Sequence, residues 1–310
     1  MHREIGFYGE FTTSSDGKRR GFYPETVIHY FDAFREGGIH WYGVGGISPQ
    51  SWESGELRQF CRFIQERSRE YGLKMSSYHF SGLTFSEESP QVVQENMKAQ
   101  VEAFAPWKPN CFVIHPAWIV EWPKDNKASY HNLCARHGED YMLESIVQNM
   151  AYLADLLKPY GVSLAIETLV QSQFPLTSPE DCLMLVDLLH RDNVGICIDS
   201  GHLFASGYDP ADSIRKCGQY VLETHFHDNM GCNIGEDMHL PVGFGGINWL
   251  DVQMALDKIG YTGPVTCETG GFMGQPTLGL SYRKAADWWE ALEATADNAR
   301  KKWSFGGNPL

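Results

Sequence analysis

Val162-Ser-Leu-Ala-Ile-Glu167 and Val194-Gly-Ile-Cys-Ile-Asp199 are short apolar runs that stop on a carboxylate. Four more segments end in the same manner: Cys111-Phe-Val-Ile-His115, Val221-Leu-Glu-Thr-His225, Pro264-Val-Thr-Cys-Glu268 and the more polar Leu73-Lys-Met-Ser-Ser-Tyr-His79. A run of this length, bounded by turn residues, reads as a buried strand. Burying a terminal Asp, Glu or His is costly unless the group is paired or holds a metal. Strands closed into a barrel would gather these side chains at one rim, so a divalent-metal site is the reading that follows.

Strand-like and helix-like segments alternate along the chain. Strands are predicted over Glu4–Tyr8, Ile39–Val44, Leu73–His79, Cys111–His115, Val162–Glu167, Val194–Asp199, Val221–His227 and Pro264–Glu268. Helices are predicted over Glu25–Glu36, Ser54–Tyr71, Pro90–Ala105, Glu139–Tyr160, Pro179–His190, Pro210–Gly218, Trp249–Ile259 and Tyr282–Lys302. Ser178-Pro-Glu180 supplies an N-cap, an N1 proline and a first-turn acid, and Gly72 and Gly161 follow helix ends. Eight strands alternating with eight helices predict an α/β chain folded as a (β/α)8 TIM barrel. The barrel is expected to be one domain over residues 1–303, followed by a non-helical tail, 304–310. A doubly wound open sheet is the competing architecture, but Gly43-Val-Gly-Gly46 after strand two does not match GxGxxG. Long insertions, roughly Ala117–Gly138 and Asn229–Asn248, would lie on the active-site face.

The 310 residues are 43% hydrophobic and 13% aromatic, enough to build a core without a partner. A net charge of −14 repels phosphate polyanions and argues against nucleic acid as a partner. Eight scattered cysteines with no CxxC pair suggest reduced thiols in a cytoplasmic protein. The N-terminus lacks the apolar core of a signal peptide, and no charge-free stretch is long enough to span a membrane.

Glu167, Asp199, His225 and Glu268 close strands five to eight. Three carboxylates and one imidazole suit Mn²⁺ best, with Mg²⁺ or Co²⁺ next; structural Zn²⁺ prefers closed Cys/His sets. The plain alternative for any one of them is a helix cap or an ion pair. A second set surrounds these four: His79, His115, His202, Asp237 and His239. They could ligate further metals, bind substrate hydroxyls or orient the first ligands. His227 shares the face of His225 and rivals it for the metal. A metal between two glutamates would chelate a carbonyl and its neighbouring hydroxyl and stabilise an enediolate. One glutamate would remove the α-proton while the other returns it or protonates a leaving group. Trp118, Trp122 and Phe80, with Trp41 and Trp52, are candidate aromatic faces for a sugar, although ordinary packing is the more common role for any single one of them. Lys18-Arg19-Arg20 is either a phosphate contact or a solvated turn.

Together the pieces Ala165-Ile-Glu167, Asp199-Ser-Gly-His202, His225-Phe-His-Asp228, His239-Leu-Pro-Val-Gly-Phe-Gly-Gly-Ile-Asn-Trp249 and Gly260-Tyr-Thr-Gly-Pro-Val-Thr-Cys-Glu268 resemble a known superfamily. It is the xylose isomerase-like TIM barrels: sugar-phosphate isomerases and epimerases, ketose 3-epimerases, inosose dehydratase and endonuclease IV. The resemblance implies metal ligation by Glu167, Asp199, His225 and Glu268. It also implies acid/base work by the two glutamates and substrate contact by His202. The endonuclease IV branch, with three zinc ions, would map onto His79, His115, Glu167, Asp199, His202, His225, Asp237, His239 and Glu268. Two features depart from the ketose 3-epimerase pattern. No Arg or Lys follows His225 in His227-Asp-Asn-Met-Gly-Cys-Asn233, and Gln171-Ser-Gln173 stands where a second acid is usual. The expected function is a metal-dependent sugar isomerase or epimerase on a ketose, polyol-derived ketone or keto-glycoside. A dehydratase or lyase on the same substrates, or a phosphodiesterase, is the alternative. Barrels of this type often pair through rim loops and helices, so a homo-oligomer is also expected.

Overall fold

The computed structural model describes residues 2–12, 21–45, 47, 55–120, 125–231, 237–269 and 280–303. Eight parallel strands close on themselves in chain order, β8 pairing back to β1. They are β1 (Ile5–Tyr8), β2 (Trp41–Gly45), β3 (Lys74–His79), β4 (Cys111–Ile114), β5 (Ser163–Glu167), β6 (Val194–Asp199), β7 (Val221–Phe226) and β8 (Val265–Cys267). The helices are α1 (Pro24–Gly37), α2 (Glu56–Tyr71), α3 (Pro90–Phe104), α4 (Asn126–His137), α5 (Glu139–Leu157), α6 (Pro179–Leu189), α7 (Ser200–Ala205), α8 (Pro210–Cys217), α9 (Trp249–Lys258) and α10 (Tyr282–Trp303). This is the (β/α)8 barrel expected from the strand–helix rhythm. The helix ends follow local chemistry. Ser178 and Asp181 form a reciprocal capping box at α6. Gly38 and Gly72 take left-handed φ values of 70° and 68° to stop α1 and α2.

Side chains alternate across each strand, and the alternation sorts the molecule into two cores. Phe112 and Ile114, Leu164 and Ile166, Ile196 and Ile198, and Val265 and Cys267 face the helices and join the large outer core. Cys111, Val113, Ala165 and Cys197 form a separate small cluster with Leu222 inside the barrel. Continuing the inward alternation places Glu167, Asp199, His225 and Glu268 at the C-terminal ends of β5 to β8. Two register shifts, at Tyr42/Gly43 between β2 and β3 and at Ile196/Cys197 between β6 and β7, adjust the closure.

Three local expectations change. The insertion after strand four contains a helix, α4, capped by the Asp125 side chain on the Ala128 amide. Its buried side is only Asn126, Tyr130 and Leu133, too weak a stripe to read from sequence. A second extra helix, α7, starts directly after β6 because Asp199 itself caps it, accepting the His202 amide at 2.8 Å. Trp41 opens β2 and so lies at the opposite end of the barrel from the strand C-termini, its Nε1 donating to Glu4 at 2.7 Å. Residues 304–310, Trp52 and Lys18–Arg20 lie outside the described residues. No described helix is long and apolar enough to cross a membrane, and the seven described cysteines are free thiols.

Beneath the rim sits one buried acid, Glu223. Its Oε2 receives the Cys111 thiol at 3.8 Å, and its Oε1 has no hydrogen-bond partner. Burial pushes its carboxyl up to about 7, against a hydrogen bond from Thr266 and the charge of His225. The folded chain therefore keeps a proton that the unfolded chain, with an ordinary value of 4.5, has already released. Stability fully held below about 4.5 is lost as pH rises from there to about 7, at up to about 1.4 kcal/mol per unit, and the loss levels off above 7. Glu223→Gln should remove this slope. In urea titrations the variant should gain on wild type by about 1–2 kcal/mol between about pH 6 and about pH 8; a difference that does not move with pH would contradict the assignment.

Candidate metal centre

The C-terminal rim collects the titratable side chains from eight places in the chain. His79 ends β3, His115 follows β4, and Glu167 and Asp199 end β5 and β6. His225 lies in β7, His227 just beyond it, and Glu268 directly after β8. His202 projects from α7, and Asp237 and His239 come from the loop after β7.

Glu167 is the hub. It is 1% exposed. Its Oε2 lies 3.0 Å from both His79 Nε2 and His115 Nε2, and its Oε1 lies 2.9 Å from His225 Nδ1. Glu268 Oε2 approaches the same His225 nitrogen at 3.3 Å. Burial alone would raise the Glu167 carboxyl, but His225 and His115 hold it well below the usual carboxylate range. Glu268 behaves the same way, with His225 as its main support. Ligand atoms of Glu167, Asp199, His225 and Glu268 all lie within 4.8 Å of one another, and those of His79, Glu167 and His225 form an overlapping group.

A second group adjoins the first through Asp199. Asp199 Oδ1 lies 2.9 Å from His227 Nε2, and its Oδ2 lies 3.3 Å from His202 Nδ1. Asp237 Oδ2 then bridges His202 Nε2 at 2.8 Å and His239 Nε2 at 2.7 Å. His227 and His239 stack with centroids 4.0 Å apart. A side chain on Gly201 would overlap the His227 ring, so glycine is required there. His239 holds a left-handed φ of 45° and anchors its Nδ1 on the Glu268 carbonyl at 2.9 Å. Burial opposes the charged imidazolium, yet Asp199 and Asp237 push His202 up to about 10, and Asp237 pushes His239 up to about 9.

The donor set fits a divalent cation. Among the described residues, every ion-pair partner of Glu167, Asp199, Asp237 and Glu268 is an imidazole; none is Lys or Arg. His227 Nδ1 and Asp237 Oδ1 are buried without a hydrogen-bond partner. Oxygen and nitrogen donors in this proportion match Mn²⁺, Mg²⁺, Co²⁺ or Zn²⁺.

Around the carboxylates, Trp118 stacks on Phe174 at 5.4 Å and 16°, and His115 lies 5.0 Å from the Trp118 ring. This pair forms an aromatic wall beside Glu167. Phe80 follows inward-facing His79 by one residue and packs in the outer core, 5% exposed, rather than joining the wall. Trp122 lies outside the described residues. Phe174, Tyr8 and Asp228 were not singled out as site residues in the sequence. Tyr8 was findable, since β1 ends on it as six strand-like segments of the sequence run into His, Asp or Glu. Phe174 sits in a turn with no periodic signal.

Asp228 organises the loop that delivers Asp237 and His239. Its Oδ1 accepts the amides of Asn229 at 2.9 Å and Ile247 at 3.2 Å. Its Oδ2 accepts the Gly243 amide at 3.0 Å and Trp249 Nε1 at 2.7 Å. Its backbone pairs with Leu240 in both directions. Gly245 is glycine because a Cβ there would strike Asp228 Oδ1.

Comparison with known proteins agrees with this architecture. The family model described as a xylose isomerase-like TIM barrel matches residues 42–292. The chain belongs to that family. It is similar to an inosose isomerase of Bacillus subtilis, 32% identical over 130 residues, 40% of this chain and 46% of that enzyme. It is also similar to a D-psicose 3-epimerase of Agrobacterium fabrum, 29% identical over 194 residues, 60% of this chain and 57% of that enzyme. The matches thus span about half the length of those two relatives. The crystal structure of 3-keto-D-glucoside 4-epimerase from E. coli superposes with a TM-score of 0.71 at 15% identity, over 94% of this chain and all of that one, and shares the fold.

Asp228→Asn replaces an acceptor oxygen with an NH₂ that must face two N–H donors whichever way it turns. Hydrogen exchange should quicken at the Leu240, Gly243 and Ile247 amides, matching a local loss of about 1–3 kcal/mol, while β5 amides keep their protection. Unchanged exchange in the loop would remove Asp228 from this role.

Proposed function

We propose that this protein is a divalent-metal-dependent isomerase or epimerase acting on an uncharged keto sugar: a ketose, an inosose-like polyol ketone or a keto-glycoside. The observation that supports it most directly is the pairing of Glu167 and Glu268 on either side of His225 Nδ1, with Asp199 adjacent. These four residues would hold the metal. A divalent cation bound there would act as a Lewis acid on a substrate carbonyl and its neighbouring hydroxyl.

The chain's own residues perform the proton chemistry. One of the two glutamates takes the proton from the carbon next to the carbonyl, and the electron pair moves onto the carbonyl oxygen to give an enediolate. The other glutamate returns a proton. Return to the opposite face of the same carbon inverts it; return to the former carbonyl carbon moves the carbonyl. Loss of a β-hydroxyl from the same enediolate would make the enzyme a dehydratase. His202 would contact substrate oxygens by exchanging its present bond to Asp237 for one to the substrate. Trp118 and Phe174 present a flat apolar wall that suits the C–H face of a sugar ring.

Among the described residues no Lys or Arg pairs with the site carboxylates, which favours a substrate without a phosphate group over a phosphoester. The second group, His202, His227, Asp237 and His239, is the one observation that favours a multi-metal phosphodiesterase instead. The relatives named as isomerase and epimerase, and the acidic balance of the chain, weigh against it. The free thiols and the lack of a described membrane-crossing helix are compatible with a cytoplasmic enzyme.

Elemental analysis of protein purified without chelator should give about one Mn²⁺, Co²⁺ or Mg²⁺ per chain by this ligand count, and Glu167→Gln should lose it. Two or three zinc ions would move the reading to phosphoester hydrolysis, and no metal after reconstitution would end both. With inososes, ketoses and 3-keto-glucosides in deuterated water, the wild type should place deuterium on the carbon beside the carbonyl. Glu268→Gln should slow that exchange by about 10²–10⁴-fold. Trp118→Ala should raise KM more than it lowers kcat if the wall binds the sugar in ground and transition states alike.

A further inference from the structure

Both ring nitrogens of His225 have neighbours, and these lie on different sides of the barrel mouth. Nδ1 faces Glu167 Oε1 at 2.9 Å and Glu268 Oε2 at 3.3 Å. Nε2 faces the Tyr8 hydroxyl at 3.0 Å, and that hydroxyl lies 2.8 Å from Ser77 Oγ. The Tyr8 and His225 rings meet edge to face, with centroids 4.9 Å apart at 79°. A hydrogen-bonded strut therefore runs from β7 through β1 to β3, across the mouth of the barrel.

The sequence makes room for it. A Cβ on Gly43 would come within 2.5 Å of the Tyr8 ring, and one on Gly45 within 3.5 Å of Tyr8 and 2.9 Å of His79 Cβ. Strand β2 thus presents glycine twice along the flank of this ring. Any larger residue at Gly43 would push the phenol off Ser77 and His225.

We propose that Tyr8, itself braced by Ser77, is a positioning residue that fixes the tautomer and ring orientation of His225, leaving Nδ1 as its metal-binding atom. A neutral imidazole carries one proton. If Nε2–H donates to the Tyr8 oxygen, the lone pair is left on Nδ1, pointing between the two glutamates. Tyr8 can accept that bond and still donate its own hydrogen to Ser77. A phenylalanine would fill the same space and do neither. Without the strut the proton can sit on either nitrogen and the ring loses one of its two anchors, so each metal-binding event must first select the productive form. This inference rests on the metal-dependent reading above, but its test does not use turnover.

The experiment measures Mn²⁺ affinity, by the electron paramagnetic resonance signal of free Mn²⁺, for full-length wild type, Tyr8→Phe and Ser77→Ala. Tyr8→Phe should bind about 10–100-fold more weakly, and Ser77→Ala should show a smaller loss in the same direction. The metal-free proteins are melted in parallel. A residue that only packs would lower the Tm without moving the affinity, whereas a positioning residue moves the affinity at nearly constant Tm. Wild type that binds Mn²⁺, with Tyr8→Phe within about twofold of it, would overturn the positioning role and leave the metal-dependent reading standing. Wild type that binds no Mn²⁺ would overturn both.

Discussion

Everything at the working end of this barrel is arranged around one constraint: four carboxylates, Glu167 and Asp199 fully buried and Asp237 and Glu268 partly so, stand close together with no Lys or Arg to balance them among the described residues. Like charges at these separations repel strongly, and burial magnifies the cost. The chain answers with imidazoles. His79, His115 and His225 surround Glu167, and His202, His227 and His239 surround Asp199 and Asp237. Imidazole can hold a proton when the rim is empty of cation and give it up when a cation enters, so the same side chains serve both states.

The remainder of the barrel makes that rim affordable. The outer core is large and apolar, built from the outward faces of all eight strands and the helices that cover them. The inner core is small, holding Cys111, Val113, Ala165 and Cys197. Small inward side chains leave space for a polar interior in which Ser76, Ser77, Thr266 and Glu223 interlink below the site. Stability is therefore concentrated in the strand–helix interface, and the barrel lumen is left to chemistry, which suits a fold whose catalytic groups sit at strand ends.

The loop after β7 shows how a distant segment is brought into register with strands. Asp228 accepts four N–H groups and pairs with no Lys or Arg among the described residues, so its charge is dispersed into a turn. That turn carries Asp237 and His239 back over Glu268. With Trp118 and Phe174 on the opposite flank, the rim combines a charged floor with an apolar wall.

Much of this was legible in the chain itself. The period-two alternation and the repeated His, Asp or Glu at strand ends determined the barrel and put Glu167, Asp199, His225 and Glu268 on inward faces, because side-chain direction in a strand is a local property. The caps at Ser178 and Gly72 were local in the same sense. Helix α4 was not legible, since its buried side is narrow and it is held by contacts distant in sequence, with α5 and with the Gln171 and Gln173 carbonyls. Phe80 and Trp41 read as site aromatics because aromatic character says nothing about which end or face of the barrel a residue occupies. Tertiary structure alone decided that Glu167 is the shared hub, that Phe174 meets Trp118, and that Tyr8 touches His225 across 217 residues of chain. Those contacts depend on closure of the barrel, which brings the first strand beside the last, and no local pattern encodes a distance of that kind.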